Sequence, residues 1–200
     1  MKGIPEIVSP TEIRFERLLP GPIEKVWAYL TESKKRGEWL ASGPMDLRVG
    51  GKVSLRFKHS ELSPHQAPPP ERFRKMDEEG HHAQETITAL DPPRRLAFTW
   101  GGSSEGASEV VFDLAPRDGG KVLLTLTHRK LPNEAERTGT AGGWHCHLTI
   151  LVEKLEGRTP PAFWDVFREI DEDPIAPRRR SRRSGRRPGS AGRCANRSRD

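Results

Sequence analysis

Ala141-Gly-Gly-Trp144-His-Cys-His-Leu148-Thr-Ile-Leu151-Val-Glu-Lys-Leu155-Glu-Gly157 is the stretch whose reading decides the fold. Trp144, Leu148, Leu151 and Leu155 recur at steps of four, three and four, which places them on one face of a helix. Gly157 suits the left-handed residue that ends a helix. Asn133, with Glu136 three residues on, suits a capping-box start. The reading is therefore a helix from near Glu134 to Glu156. Gly139, Gly142 and Gly143 weaken its first half by roughly 1 kcal/mol each against Ala. They mark a bend, a later start or a close backbone approach. An amphipathic helix of this length needs an apolar partner surface.

The chain upstream supplies one. Thr11–Leu19 alternates Ile13, Phe15, Arg17 and Leu19 against polar neighbours and reads as a strand. Pro20-Gly21-Pro22 breaks it and opens a short helix, Ile23–Leu30, with Ile23, Val26, Trp27 and Leu30 on one face. Thr31 is expected to cap a second short helix over 32–38, ending near Trp39. Asp46–Val49 and Lys52–His59 flank Gly50-Gly51 as a hairpin. Strands follow at His82–Leu90, Arg94–Trp100, Glu109–Ala115 and Lys121–Arg129, joined by Asp91-Pro-Pro, Gly101–Gly106 and Asp118-Gly-Gly turns. Short turns between successive strands imply an antiparallel meander. Residues 60–80, with Pro68-Pro-Pro70, form a connection too long to be a plain turn: a lid or an insertion. The fold class is α+β, a curved antiparallel sheet wrapped on a long C-terminal helix.

The charge is unevenly spread. Residues 174–200 carry ten Arg and one acid, 10 − 1 = +9, so residues 1–173 carry 24 basic and 27 acidic residues, or −3. The alkaline character belongs to the tail. Residues 1–10 are expected to be a flexible lead-in, 11–170 the domain, and 171–200 an Arg-rich disordered tail. The tail reads as a solvated extension, an arm making weak polyanion contact, or a frame-shifted end. Its lack of aromatic residues argues against base stacking. Two cysteines, Cys146 and Cys194, show neither a disulfide framework nor a metal motif. No apolar run has membrane-span length, and residues 1–10 lack a signal-peptide core. A reducing, cytoplasmic setting is expected.

Four motifs, in order, resemble the heat-shock-protein-90 ATPase activator homologue-like branch of the SRPBCC (START-like, birch-pollen-allergen-like) superfamily. They are Phe15-Glu-Arg with Pro22-Ile-Glu-Lys-Val-Trp27, Val49-Gly-Gly51, Asp91-Pro-Pro-Arg-Arg-Leu96-Ala-Phe98-Thr-Trp100, and Gly143-Trp144 through Leu155-Glu-Gly157. The resemblance covers residues 11–170. Ala162–Ile170 matches a terminal helix of that branch, and the Arg-rich tail does not match. The resemblance implies a helix-grip fold with a cavity between helix and sheet. Its members include lipid and hormone binders, polyketide cyclases and co-chaperone domains.

The candidate ligand-binding set is Trp27, Trp39, Phe57, His59, Phe98, Trp100, Phe112, His128, Trp144, His145 and Leu148. Inward aromatics fill a packed core or line a pocket for a small apolar or aromatic molecule. His59, His128 and His145 are candidate general bases, because an imidazole titrates near neutrality. No nucleophile–base–orienter set is legible, so a cyclase- or hydrolase-like enzyme is the alternative, followed by a chaperone-ATPase-activating interaction domain. His145 and His147, two apart on a helix, cannot make an i, i+4 metal pair, and no metal or cofactor is expected. Arg17 and Glu85 are charged residues on inward faces, read as a ligand-orienting pair or as exposed strand-edge groups.

Overall fold

The computed structural model describes residues 5–102, 106–172 and 178–179. The chain runs β1 (Glu6–Ser9), β2 (Glu12–Pro20), α1 (Ile23–Thr31), α2 (Ser33–Gly37), β3 (Lys52–Phe57), α3 (Arg74–Glu79), β4 (His81–Asp91), β5 (Arg95–Trp100), β6 (Ser108–Arg117), β7 (Lys121–Arg129), α4 (Glu134–Leu155) and α5 (Phe163–Glu172). Strand order is β3-β4-β5-β6-β7-β2-β1, antiparallel throughout, and Arg178–Arg179 adds a two-residue parallel pairing to the β1 edge. The meander β3 to β7 follows from short turns. The long excursion through α1 and α2 leaves β2 on the far side of β7.

Alternation along the strands sets the inner face. β7 buries Val122, Leu124, Leu126 and His128, which pair across to Leu19, Arg17, Phe15 and Ile13 of β2. β6 contributes Val110, Phe112 and Leu114, and β5 Leu96 and Phe98. Against this face lies α4, whose Leu148, Ile150, Leu151 and Leu155 are buried. Burying each such side chain is worth about 1.5–3 kcal/mol, enough to hold the helix in place.

The ends of α4 follow the sequence closely. The Asn133 side chain accepts the Glu136 backbone N–H at 2.9 Å. At the other end Gly157 adopts φ +73°, its N–H reaches Lys154 O, and the Arg158 N–H reaches Glu153 O at 2.8 Å. That is the 6→1 and 5→2 pairing of a Schellman ending. Lys25 Nζ donates to Leu155 O at 3.0 Å and so ties α1 to the same terminus. The helix is continuous through its three glycines.

Several expectations are corrected. Residues 6–9 are a paired strand, because Glu6 and Ile7 sit opposite Arg14 and Ile13. Thr31 is the last residue of α1 and bonds back to Trp27 O, so it caps nothing; Glu32 precedes α2. Asp46–Val49 is not a strand. Gly50 N–H bonds to Ile87 O, and Gly51 O accepts from Ile87 N–H, so the glycine pair abuts β4 and makes no hairpin turn. A side chain at Gly51 would collide with Asp46 O. β3 ends at Phe57, and His59 begins a 3-10 turn. Residues 60–80 are partly helical: a 3-10 turn at Glu71–Phe73 leads into α3. Most of the predicted tail lies outside the described residues.

Arg36 was not anticipated. Only 1% exposed, it donates to the carbonyls of Ala41 (3.1 Å), Thr31 (3.0 Å) and Gly43 (2.5 Å). Burial pulls its pKa down to about 10. The guanidinium gathers the 41–43 segment onto α2 by satisfying carbonyls that the loop leaves open.

Candidate functional site

A cavity of about 870 Å³ lies between β3, β4 and the end of β5 on one side and the N-terminal half of α4 on the other. It is open to solvent where His81, His82 and Gln84 are exposed. From α4 the lining residues are Glu136, Gly139, Thr140, Gly143, Trp144 and His147. Their spacing of three, one, three, one and three is one helical face. Two of the six have no side chain, and a methyl group at Gly139 or Gly143 would meet no atom within 4 Å. The glycines therefore leave space in the cavity where an ordinary helix would fill it.

Aromatic rings form the walls. Phe57 stands edge-on to Trp100 at 5.9 Å, and Trp100 lies 4.9 Å from Trp144. At the inner end His59 stacks on Phe163 of α5 at 4.1 Å and sits 5.3 Å from His147. Phe73 lines the cavity and stacks on Trp164, so α5 and the 60–80 segment close that side together. Ser63 Oγ donates to Pro160 O at 2.7 Å and reinforces the same closure.

Of the eleven candidate ligand contacts, Phe57, His59, Trp100 and Trp144 line this cavity. The others do not. Trp39, Phe98, Phe112 and Leu148 are buried in the packing between sheet and helix. Trp27 is half-buried on α1 against the core. His145 points off the cavity face of α4, one residue and about 100° from Trp144. His128 is fully buried behind Trp144.

His128 is a positioning group. Trp144 Nε1–H donates to its Nδ1 at 2.9 Å. Nδ1 is thus the acceptor, so Nε2 bears the proton and donates to Ser108 Oγ at 2.8 Å. Ser108 in turn donates to Trp100 O at 2.9 Å. Burial lowers the imidazole pKa to about 4, which keeps it neutral and this chain of donors intact. The strand alternation showed His128 facing inward, but its depth behind the indole was not readable.

Glu85 is buried rather than at an exposed edge, which corrects the strand-edge reading. Its carboxylate accepts from Thr99 Oγ1 (2.6 Å), Gly101 N–H (3.0 Å) and Gly102 N–H (3.1 Å). Arg17 is not its partner. It lies on β2 over the Phe15 ring, at 5.5 Å, and does not line the cavity. Burial lowers its pKa to about 10.

Sequence reasoning missed Phe73, Met76 and Phe163, and it left His147 out of the candidate ligand set. The helix-face spacing from Glu136 to His147 was the available signal. His147 Nδ1 donates to Trp39 O at 2.8 Å, and burial, followed by the nearby His59, lowers its pKa to about 3. Burial likewise lowers His59 to about 4, with His81 adding to it. No group of three or more His, Cys, Asp or Glu among the described residues is placed to hold a metal ion.

A curved antiparallel sheet gripping a long helix, with a solvent-open cavity between them, defines the helix-grip class. Residues 20–156 match the family model described as Activator of Hsp90 ATPase homolog 1-like protein. The chain belongs to that family, in the SRPBCC superfamily. It is 41% identical to a Bordetella parapertussis protein encoded by BPP1335, with a TM-score of 0.71 over 86% of this chain and 90% of that one. CalU16 of Micromonospora echinospora is 24% identical, with a TM-score of 0.56 over 80% and 83%. A conserved Enterococcus faecalis protein of unknown function, EF2215, is 19% identical, with a TM-score of 0.57 over 86% and 90%. The last two likenesses concern the fold alone. Among curated proteins nothing matches the chain.

Proposed function

We propose that this protein binds a small apolar or aromatic molecule in the cavity between α4 and the β3–β5 end of the sheet. One observation carries the reading: Gly139 and Gly143 leave open space on a helix face that otherwise presents Trp144 and His147. The two glycines cost a helix roughly 1 kcal/mol each, a cost that an ordinary packed helix avoids. The volume falls within the range of roughly 300–1,000 Å³ typical of ligand pockets. Phe57, Trp100 and Trp144 offer ring faces for stacking. In this reading the protein works in a reducing, cytoplasmic setting, and Cys146 is a free buried thiol.

Quenching of tryptophan fluorescence by naphthalene and by a long-chain alcohol tests it directly. The native chain is expected to bind at least one of them saturably, and Gly143→Leu to lose that binding while remaining folded. Equal binding by Gly143→Leu, or none by the native chain, would overturn the reading.

A second reading, a cyclase- or hydrolase-like enzyme, is favoured by the approach of His59 to His147 in the same cavity. Against it, both imidazoles are poor bases at neutral pH, since burial holds them at about 4 and about 3, and an effective general base titrates near the working pH. The carboxylate of Glu85 is already committed to three donors. A chaperone-activating role rests on the family alone.

A further inference from the structure

We propose that the cavity selects an uncharged ring system carrying a hydroxyl, and that this hydroxyl donates to Nε2 of His147. The inference rests on the ligand-binding reading above and adds the chemistry of the ligand.

The first support is the tautomer of His147. Its Nδ1 lies 2.8 Å from Trp39 O. A carbonyl oxygen only accepts, so Nδ1 carries the proton. Burial keeps the ring neutral, with the pKa lowered to about 3. Nε2 is therefore left with a lone pair, and among the described residues no protein donor is bonded to it. His147 lines the cavity. The position is thus a fixed acceptor on the wall of a largely apolar cavity, where a ligand that supplies the matching donor is favoured over one that does not.

The second support is charge. The lining contains neither Lys nor Arg, and it contains two carboxylates, Glu85 and Glu136. Fatty acids, acyl phosphates and other anions find no Lys or Arg in the lining to pair with, and two carboxylates beside them. An ammonium ligand fails for a different reason. Glu85 Oε1 is occupied by the N–H groups of Gly101 and Gly102, and Oε2 by the hydroxyl of Thr99. A cation beside Glu85 would find those oxygens already taken, and the other carboxylate, Glu136, is exposed to solvent, where pairing is worth little against the desolvation cost. The remaining class is neutral, with a donor. The ring preference follows from the walls: Trp100 and Trp144 lie 4.9 Å apart, and Phe57 stands edge-on to Trp100. His59, stacked on Phe163, closes the end beside His147 and limits how far a ring can advance.

Four matched probes separate the possibilities: naphthalene, 2-naphthol, 2-naphthoate and 2-(aminomethyl)naphthalene, titrated calorimetrically into the full chain at neutral pH. 2-Naphthol is expected to bind about tenfold more tightly than naphthalene, the increment of one well-made buried hydrogen bond. The carboxylate and the ammonium are expected to bind more weakly than the naphthol. His147→Phe, which keeps a ring but removes the acceptor, is expected to bring naphthol and naphthalene to equal affinity. Equal affinities in the wild-type chain, or tighter binding of the carboxylate or the amine, would overturn the proposal while leaving the cavity a binding site. Loss of all four in the wild type would overturn the binding reading itself. If His147→Phe does not fold, the wild-type ranking decides.

Discussion

The two halves of α4 differ in what their inward positions carry. From Leu148 to Leu155 every inward position holds a branched aliphatic side chain, fully packed, and the helix ends on a Schellman turn with Lys25 on its last carbonyl. From Glu136 to Trp144 the inward positions are a carboxylate, a hydroxyl, two glycines and one indole, and that half borders open space. The backbone is equally helical in both. The cavity is therefore made by side-chain removal along a regular helix, with no kink or bulge. A fold of this kind can be hollowed at one end while the other end supplies its stability.

That contrast can be broken in order of expected effect. Leu151→Ala should cost about 2–5 kcal/mol, the usual toll of an aliphatic truncation in a packed core, read as a fall in the urea midpoint at unchanged slope. A loss under about 1 kcal/mol would mean that the C-terminal half is not the stabilising one.

Acid comes next. The pKa of His128 is lowered to about 4 when folded, against roughly 6.5 in an unfolded chain. The unfolded state thus binds the extra proton first. The stabilisation is whole above about pH 6.5 and is lost as pH falls toward 4. It amounts to on the order of 2–3 kcal/mol for this residue, and His59 and His147 act in the same direction. Chemical denaturation at stepped pH should show the decline, and His128→Phe should flatten it. A decline of undiminished size in that variant would show that His128 does not carry it.

Asn133→Ala removes the cap at the hollow end and should cost about 1 kcal/mol. The smallest effect has the opposite sign. Gly143→Ala should stabilise by about 0.5–1 kcal/mol, since the methyl enters empty space and helix propensity improves. Destabilisation there would mean that the space is not open.

Much of this was legible in the sequence. A period of 3.6 over Trp144–Leu155 and alternation in β7 gave the two layers and their contact faces, because both patterns are local consequences of burying one side. Gly157 was legible for the same reason: a left-handed residue ending a helix is a local requirement. Depth was not. Phe98 and Trp100 share a strand face, yet one is core and the other wall, and nothing in the strand's own pattern separates them. Glu85 looked like an edge residue because its partners, Thr99 and two loop amides, are brought to it only by the β4–β5 pairing. The 60–80 segment carries no periodicity, so its closure over the cavity through Phe73 and α5 was out of reach. The hairpin reading of Gly50-Gly51 failed because a glycine pair marks a close approach as well as a turn.

The indoles of Trp100 and Trp144, 4.9 Å apart and tilted by 49°, are close enough for their electronic transitions to mix. A fixed, asymmetric pair of this kind rotates polarised light as a unit and gives a paired positive and negative dichroism band that neither ring gives alone. The His128–Ser108 relay fixes the Trp144 indole and ties it to the backbone of Trp100. The protein thus carries, in its own absorption, an optical gauge of whether the cavity is shaped, occupied or collapsed.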